Sequence, residues 1–211
     1  EGKIIPATSH GLNVVSTGLL LDDEDTALMW RGLMLSKALE QFLRDVAWAQ
    51  DLDYLLLDMP PGTGDVQMAL ARLLPQAEMV VVTTPQLAAQ KVAARVADMA
   101  RRSHMPVIGV IENMSGFTTP GGEHYPLFGS GGGAALAADL GVELLGAVPI
   151  DPRVAEGGDA GEPVVVAEPY AAAATAIVGA AEALTSLLPP IADDGCSARL
   201  TLVAEQLAKM G

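Results

Sequence analysis

The sequence predicts an α/β fold: a parallel-dominated sheet carrying helices on both faces. Two observations point there. Short apolar runs alternate with helical apolar stripes along the chain, the pattern of βα units around a parallel sheet. The 211 residues are 50% apolar and only 4% aromatic, which suits small branched strands covered by Ala-rich helices. The length is enough for one α/β domain with a buried core.

In chain order, residues 12–21 read as a strand entered from a turn at residues 6–11. Residues 34–48 place Met34, Leu35, Ala38, Leu39, Phe42, Leu43 and Val46 on one helical stripe. Residues 54–58 form a short apolar strand bracketed by Asp53 and Asp58, and residues 65–74 a helix with Asp65 at its cap or first turn. A strand at 79–83, a helix at 87–102 and a strand at 107–112 follow. A Gly- and Pro-rich loop spans 114–133. A short helix at 134–140 stops at Gly141, and a strand covers 144–148. An Ala-rich helix at 170–188 ends on Pro189-Pro190. Residues 1–190 thus read as one domain, and 191–211 as an acidic linker with a short amphipathic tail carrying Leu200, Val203, Leu207 and Met210.

Lys and Arg number 12 against 26 Asp and Glu, a formal charge of −14. Such a chain repels nucleic acid and anionic lipid unless one face is locally basic. The basic cluster Lys91, Arg95, Arg101 and Arg102 reads as a solvated helix face. The single cysteine, Cys196, excludes an internal disulfide framework and fits a reducing compartment. No apolar run approaches the roughly 18–20 residues that cross a bilayer, and no secretory pattern opens the sequence. A cytoplasmic protein without stable membrane association is expected.

The strongest local signal is DYLLLDMPPGTGDV, residues 53–66. Ligands of open parallel sheets sit beyond the carboxyl ends of the strands. An Asp delivered there can hold Mg²⁺, directly or through water. Asp58 is the candidate metal anchor and catalytic carboxylate. An Asp that merely caps the next helix is the plainer alternative, which the PPGTGD sequel disfavours. Backbone N–H groups of the following turn, at Pro60 to Gly64 and centred on Pro61 and Gly62, can approach a terminal phosphate. In GVIENMSGF a second strand ends at Asn113, whose amide offers the donor and acceptor that match an adenine edge. In GAVPIDPRVAEGGDAGEPV a third ends at Pro149, whose backbone can wall a base pocket. Three such ends on one sheet make a nucleotide site.

In this order and spacing, HGLNVVSTGLLL, DEDTALMWRG, DYLLLDMPPGTGDVQMAL, VVTTPQ, GVIENMSGF, FGSGGG and AVPIDPRVAEGGDAGEPVV resemble the Mrp/ApbC family of P-loop ATPases, in the MinD- and ParA-like branch. The resemblance covers roughly residues 3–188. It implies a P-loop NTPase-like fold, Mg-dependent ATP hydrolysis, a homodimer with nucleotide near the subunit interface, and delivery of iron–sulfur clusters to apo iron–sulfur proteins. It makes Asp58 the Walker-B residue, Pro61 and Gly62 part of switch II, Asn113 the base contact and Pro149 the lining of the adenine pocket.

Two departures accompany it. The family's deviant Walker A loop, GKGGxGKS/T, does not occur in these 211 residues. The expectation is therefore an N-terminally truncated sequence, inactive alone and lacking the Walker-A strand. Many relatives also carry a C-x-x-C pair after ENMSGF, where Thr119 and Gly122 stand here. Neither ligates iron, so any cluster is held transiently and by ligands other than that pair. Two functions of other classes compete with the carrier: a MinD/ParA-like positioning ATPase, and a non-catalytic scaffold. The first needs a basic membrane- or DNA-seeking surface, for which the tail is too poor in charge.

Overall fold

The computed structural model describes residues 2–20, 32–60 and 64–190. The chain divides into two compact units, one reaching to Ala77 and the other running from Glu78 to Pro189.

In the first unit, β1 (Ala7–Ser9) and β2 (Leu12–Val14) form an antiparallel hairpin. Its two-residue turn, His10-Gly11, has positive φ at both positions, which matches the right-handed twist of the flanking strands. A 3₁₀ turn at Gly18–Leu20 follows. Helix α1 (Gly32–Arg44) packs on α2 (Gly64–Leu73), burying Ala38, Leu39 and Leu43 with Val66, Ala69, Leu70 and Leu73. Past α1 the chain returns through Val46, which bridges Ile4 in parallel. Trp48 Nε1 donates back to the Phe42 carbonyl at 2.9 Å.

The second unit is the βα framework expected. Strands β3 (Met79–Thr83), β4 (Val107–Thr118) and β6 (Glu143–Ile150) run parallel with β4 in the centre. The two-residue strand β5 (His124–Tyr125) pairs antiparallel with the far end of β4. Helices α3 (Leu87–Arg102) and α4 (Gly132–Leu140) cover one face. There Ala93, Ala97, Leu136 and Ala137 close over Val81 and the fully buried Val110. Helix α7 (Ala172–Leu187) covers the other face and approaches β6 so closely that a Cβ on Gly146 would lie 2.9 Å from that of Ala180. Two shorter helices, α5 (Pro152–Ala160) and α6 (Val164–Ala167), join β6 to α7.

Several expectations are corrected. The apolar run from residue 12 supplies a three-residue antiparallel strand and a 3₁₀ turn in place of a long strand. Residues 54–58 are not a strand. Leu56 stands 82% exposed, because an apolar sequence becomes a strand only where a neighbouring backbone completes its hydrogen bonds. The loop expected from residue 114 begins as β4, whose hairpin with β5 extends the strand to Thr118. Helix α1 ends at Arg44, four residues before the end of the expected helix at 34–48. The nine-residue α5 was not among the expected elements.

Candidate functional site

In the second unit, Asn113 and Val148 are register partners across the β4–β6 ladder, so Pro149 follows on the strand beside Asn113, just past the point where β3 ends opposite Glu112. The Asn113 side chain is exposed, and its Oδ1 accepts the Met114 N–H at 2.8 Å. That bond fixes the orientation of the amide. One Oδ1 lone pair remains to accept, and the amide nitrogen has no partner among the described residues. Met114 itself takes a left-handed φ of 58°, which interrupts the β4–β6 register between Asn113 and Phe117. Pro149 has no N–H, so its carbonyl is its one backbone polar group, an acceptor.

One residue inward, Glu112 is a buried carboxylate at 5% exposure. Its Oε2 accepts the Gly133 N–H at 2.5 Å, at the N-terminus of α4. A Cβ on Gly133 would lie 2.6 Å from that of Glu112, and one on Gly132 would lie 2.5 Å from the Pro85 carbonyl oxygen. That same oxygen accepts from Gln90 Nε2 at 2.8 Å. The FGSGGG segment, residues 128–133, is thereby packed onto the ends of both β3 and β4. Sequence reasoning passed over Glu112. Its signal was a carboxylate inside an apolar strand, matched by a glycine pair some twenty residues later.

Beyond β6, Asp151 caps α5. Its Oδ1 accepts the Arg153 N–H at 3.1 Å, and its carboxylate holds the Arg153 guanidinium through bonds of 2.9 and 2.7 Å. The Arg153 hydrogen bond lowers the Asp151 pKa below the usual carboxylate value, against the opposing effect of burial. The same bond raises that of Arg153.

The hairpin tip where relatives were expected to place cysteines is a closed turn. Gly122 N–H donates to the Thr119 carbonyl at 2.9 Å, and Glu123 N–H to Thr119 Oγ1 at 3.2 Å. His124 lies over Gly116 and pairs through Nδ1 with Thr118 Oγ1 at 3.2 Å. Among the described residues no three His, Cys, Asp or Glu side chains gather as a metal site. Cys196 and the tail 191–211 lie outside the described residues.

In the first unit, Asp58 ends the extended 54–58 segment with an exposed side chain. That segment walls a cavity of 980 Å³ that is also lined by Val14, Leu39, Phe42 and Trp48. A single exposed carboxylate suits Mg²⁺ that keeps most of its water shell. Pro61 and Gly62 lie outside the described residues. The second unit thus brings Asn113 and Pro149 together, while Asp58 belongs to the first. No helix among the described residues is long and apolar enough to cross a membrane.

A family model described as the NUBPL iron-transfer P-loop NTPase, of the ParA group, matches residues 1–185. Proteins named iron–sulfur cluster carrier protein from Mycobacterium tuberculosis and Aquifex aeolicus are each 44% identical, over 192 and 187 residues. Each alignment takes in 88% of this chain but only 50% and 51% of the relative. The chain therefore spans about half the length of these curated relatives. Among solved structures, a nucleotide-binding protein from Archaeoglobus fulgidus in complex with ADP superposes with a TM-score of 0.64 at 31% identity, covering 80% of this chain and 64% of that one. The cell-division ATPase MinD of Pyrococcus furiosus shares the fold, at a TM-score of 0.53, 24% identity and coverage of 74% and 59%. With residues 1–185 matched, the chain belongs to the ParA-related, NUBPL-type family of iron-transfer P-loop NTPases.

Proposed function

We propose that this chain is the greater part of the ATPase domain of an ATP-dependent carrier, or assembly factor, for iron–sulfur clusters. The observation that carries the reading is the register of Asn113 opposite Val148, which puts Pro149 next to it on the adjacent parallel strand. An adenine offers an N6 donor beside an N7 acceptor. The Asn113 amide nitrogen donates to N7, while the free lone pair of Oδ1, or the Pro149 carbonyl, accepts from N6. The ADP complex of the Archaeoglobus relative and the carrier names of the bacterial relatives support the same assignment.

Asp58 holds Mg²⁺ through water in this reading, and Pro61 and Gly62 are the residues assigned to the terminal phosphate. The metal neutralises charge on the transferring phosphoryl group. A GKGGxGKS/T loop in a longer protein supplies the phosphate cradle that these 211 residues do not contain, so the chain alone hydrolyses no appreciable ATP. The longer protein works as a homodimer, and its clients are apo iron–sulfur proteins. Because Thr119 and Gly122 provide no thiolate, the cluster is cargo held briefly by other ligands.

The test is ATP binding by the longer protein, wild type against Asn113→Ala. Binding of ATP that weakens about tenfold or more in the variant supports the base site. Equal affinity for ATP in both would remove it.

A further inference from the structure

We propose that Glu112 is a positioning residue: its buried carboxylate locks the FGSGGG segment onto β4 and thereby sets the direction in which Asn113 faces. The proposal rests on the reading of Asn113 as the base contact and deepens it.

A glycine-rich turn opening a helix has the form of a phosphate cradle, since the first N–H groups of a helix attract anions. Here the protein fills that place itself. Glu112 Oε2 accepts the Gly133 N–H at 2.5 Å inside the fold, and Glu112 as a residue is only 5% exposed. The Gly133 N–H is therefore taken by an internal carboxylate, which makes the segment a strut. Its other side is seated on Pro85, where Gly132 leaves no room for a Cβ.

The consequence for Asn113 follows from strand geometry. Successive side chains of a strand point to opposite faces. Glu112 is the register partner of Thr83 on β3 and of Ala147 on β6, and it points under α4. With Glu112 held there, Asn113 is directed away from α4. Immediately beyond lies the left-handed Met114, where the ladder to β6 is interrupted. The ladder resumes only at Phe117, opposite Ile150 of β6 and Tyr125 of β5. The Glu112–Gly133 bond lies one residue before the gap and ties its near side to α4.

Amide hydrogen exchange on the 211-residue protein tests this without nucleotide. Glu112→Ala should speed exchange at least about tenfold both in residues 128–137 and in residues 109–118, the scale of one lost charge-assisted hydrogen bond. Glu112→Gln keeps an acceptor for Gly133 and should restore both segments to near wild-type rates. The side-chain amide resonances of Asn113 should move in Glu112→Ala and return in Glu112→Gln. Faster exchange in residues 128–137 alone would overturn the proposal, because Glu112 would then only cap α4. No change in either segment would overturn it too. If Glu112→Ala does not fold, Gly133→Ala takes its place. Its Cβ crowds Glu112 and must loosen both segments together, while Glu112→Gln must not. A failure of ATP binding in the longer protein would remove the base site but leave this paired exchange intact, so the two readings fail separately.

Discussion

Asn113 stands opposite Val148 across the β4–β6 ladder, which places Pro149 at the next position of the adjacent strand. The pairing is a consequence of register. Moving β6 by one residue against β4 would separate Pro149 from the position next to Asn113.

Base selectivity should therefore reside at Asn113. In the longer protein, Asn113→Ala should lower the preference for ATP over GTP by about 1–3 kcal/mol, the usual discrimination of a paired amide–base contact. Competition between labelled ATP and unlabelled GTP measures it. Because the side chain is exposed, thermal stability should change by less than about 0.5 kcal/mol.

Helix α5 gives an acid-range prediction with a defined sign. The Arg153 hydrogen bond lowers the Asp151 pKa below its ordinary 3.8. A depressed carboxylate stabilises the fold fully above its unfolded pKa, and the contribution is lost as pH falls through the lower folded value. Asp151→Asn should flatten the dependence of stability on pH below about 4. Asp151→Ala should cost about 1 kcal/mol at neutral pH as a lost N-cap. Urea unfolding at several pH values reads both.

Two adjacent glycines of α5 should respond in opposite directions. An added Cβ at Gly158 meets nothing within 4 Å, whereas one at Gly157 would lie 2.4 Å from the Glu162 carbonyl oxygen. Gly158→Ala should stabilise the protein by about 0.5–1 kcal/mol through helix propensity and a less free unfolded chain. Gly157→Ala should destabilise it. Midpoints of thermal unfolding decide the sign in each case.

What was legible before the structure was whatever depends on nearby residues. Helix α3 occupies residues 87–102 as read, because its stripe of Ala93, Ala97 and Ala100 keeps one period throughout. Strands β3, β4 and β6 were placed by short apolar runs, although β4 continues past Asn113 to Thr118. Residues 54–58 have the same apolar character, yet a strand also needs a partner that no local pattern reports. Helix α5 was hidden by Gly157 and Gly158. Its start was nevertheless written in the Asp151 cap and Pro152 at the first helical position. The Glu112–Gly133 bond joins residues 21 apart in sequence, and neither residue alone announces the other.

Cluster retention should be weak. The hairpin tip offers Thr119 and Gly122 in a closed turn, and the sequence holds one cysteine, Cys196. A dimer would bring two thiolates against the four usual for a cluster. Anaerobic reconstitution should yield little visible absorption after desalting, and Cys196→Ser should remove what remains. Stable absorption in that variant would require ligands other than cysteine.

Hydrolysis of Mg-ATP by the longer protein, wild type against Asp58→Ala, tests the account at its centre. The wild type should turn over slowly and only with Mg²⁺. Asp58→Ala should abolish turnover while leaving the fold intact, since the metal loses its anchor and the terminal phosphate its charge neutralisation. Wild-type turnover in Asp58→Ala would contradict the account.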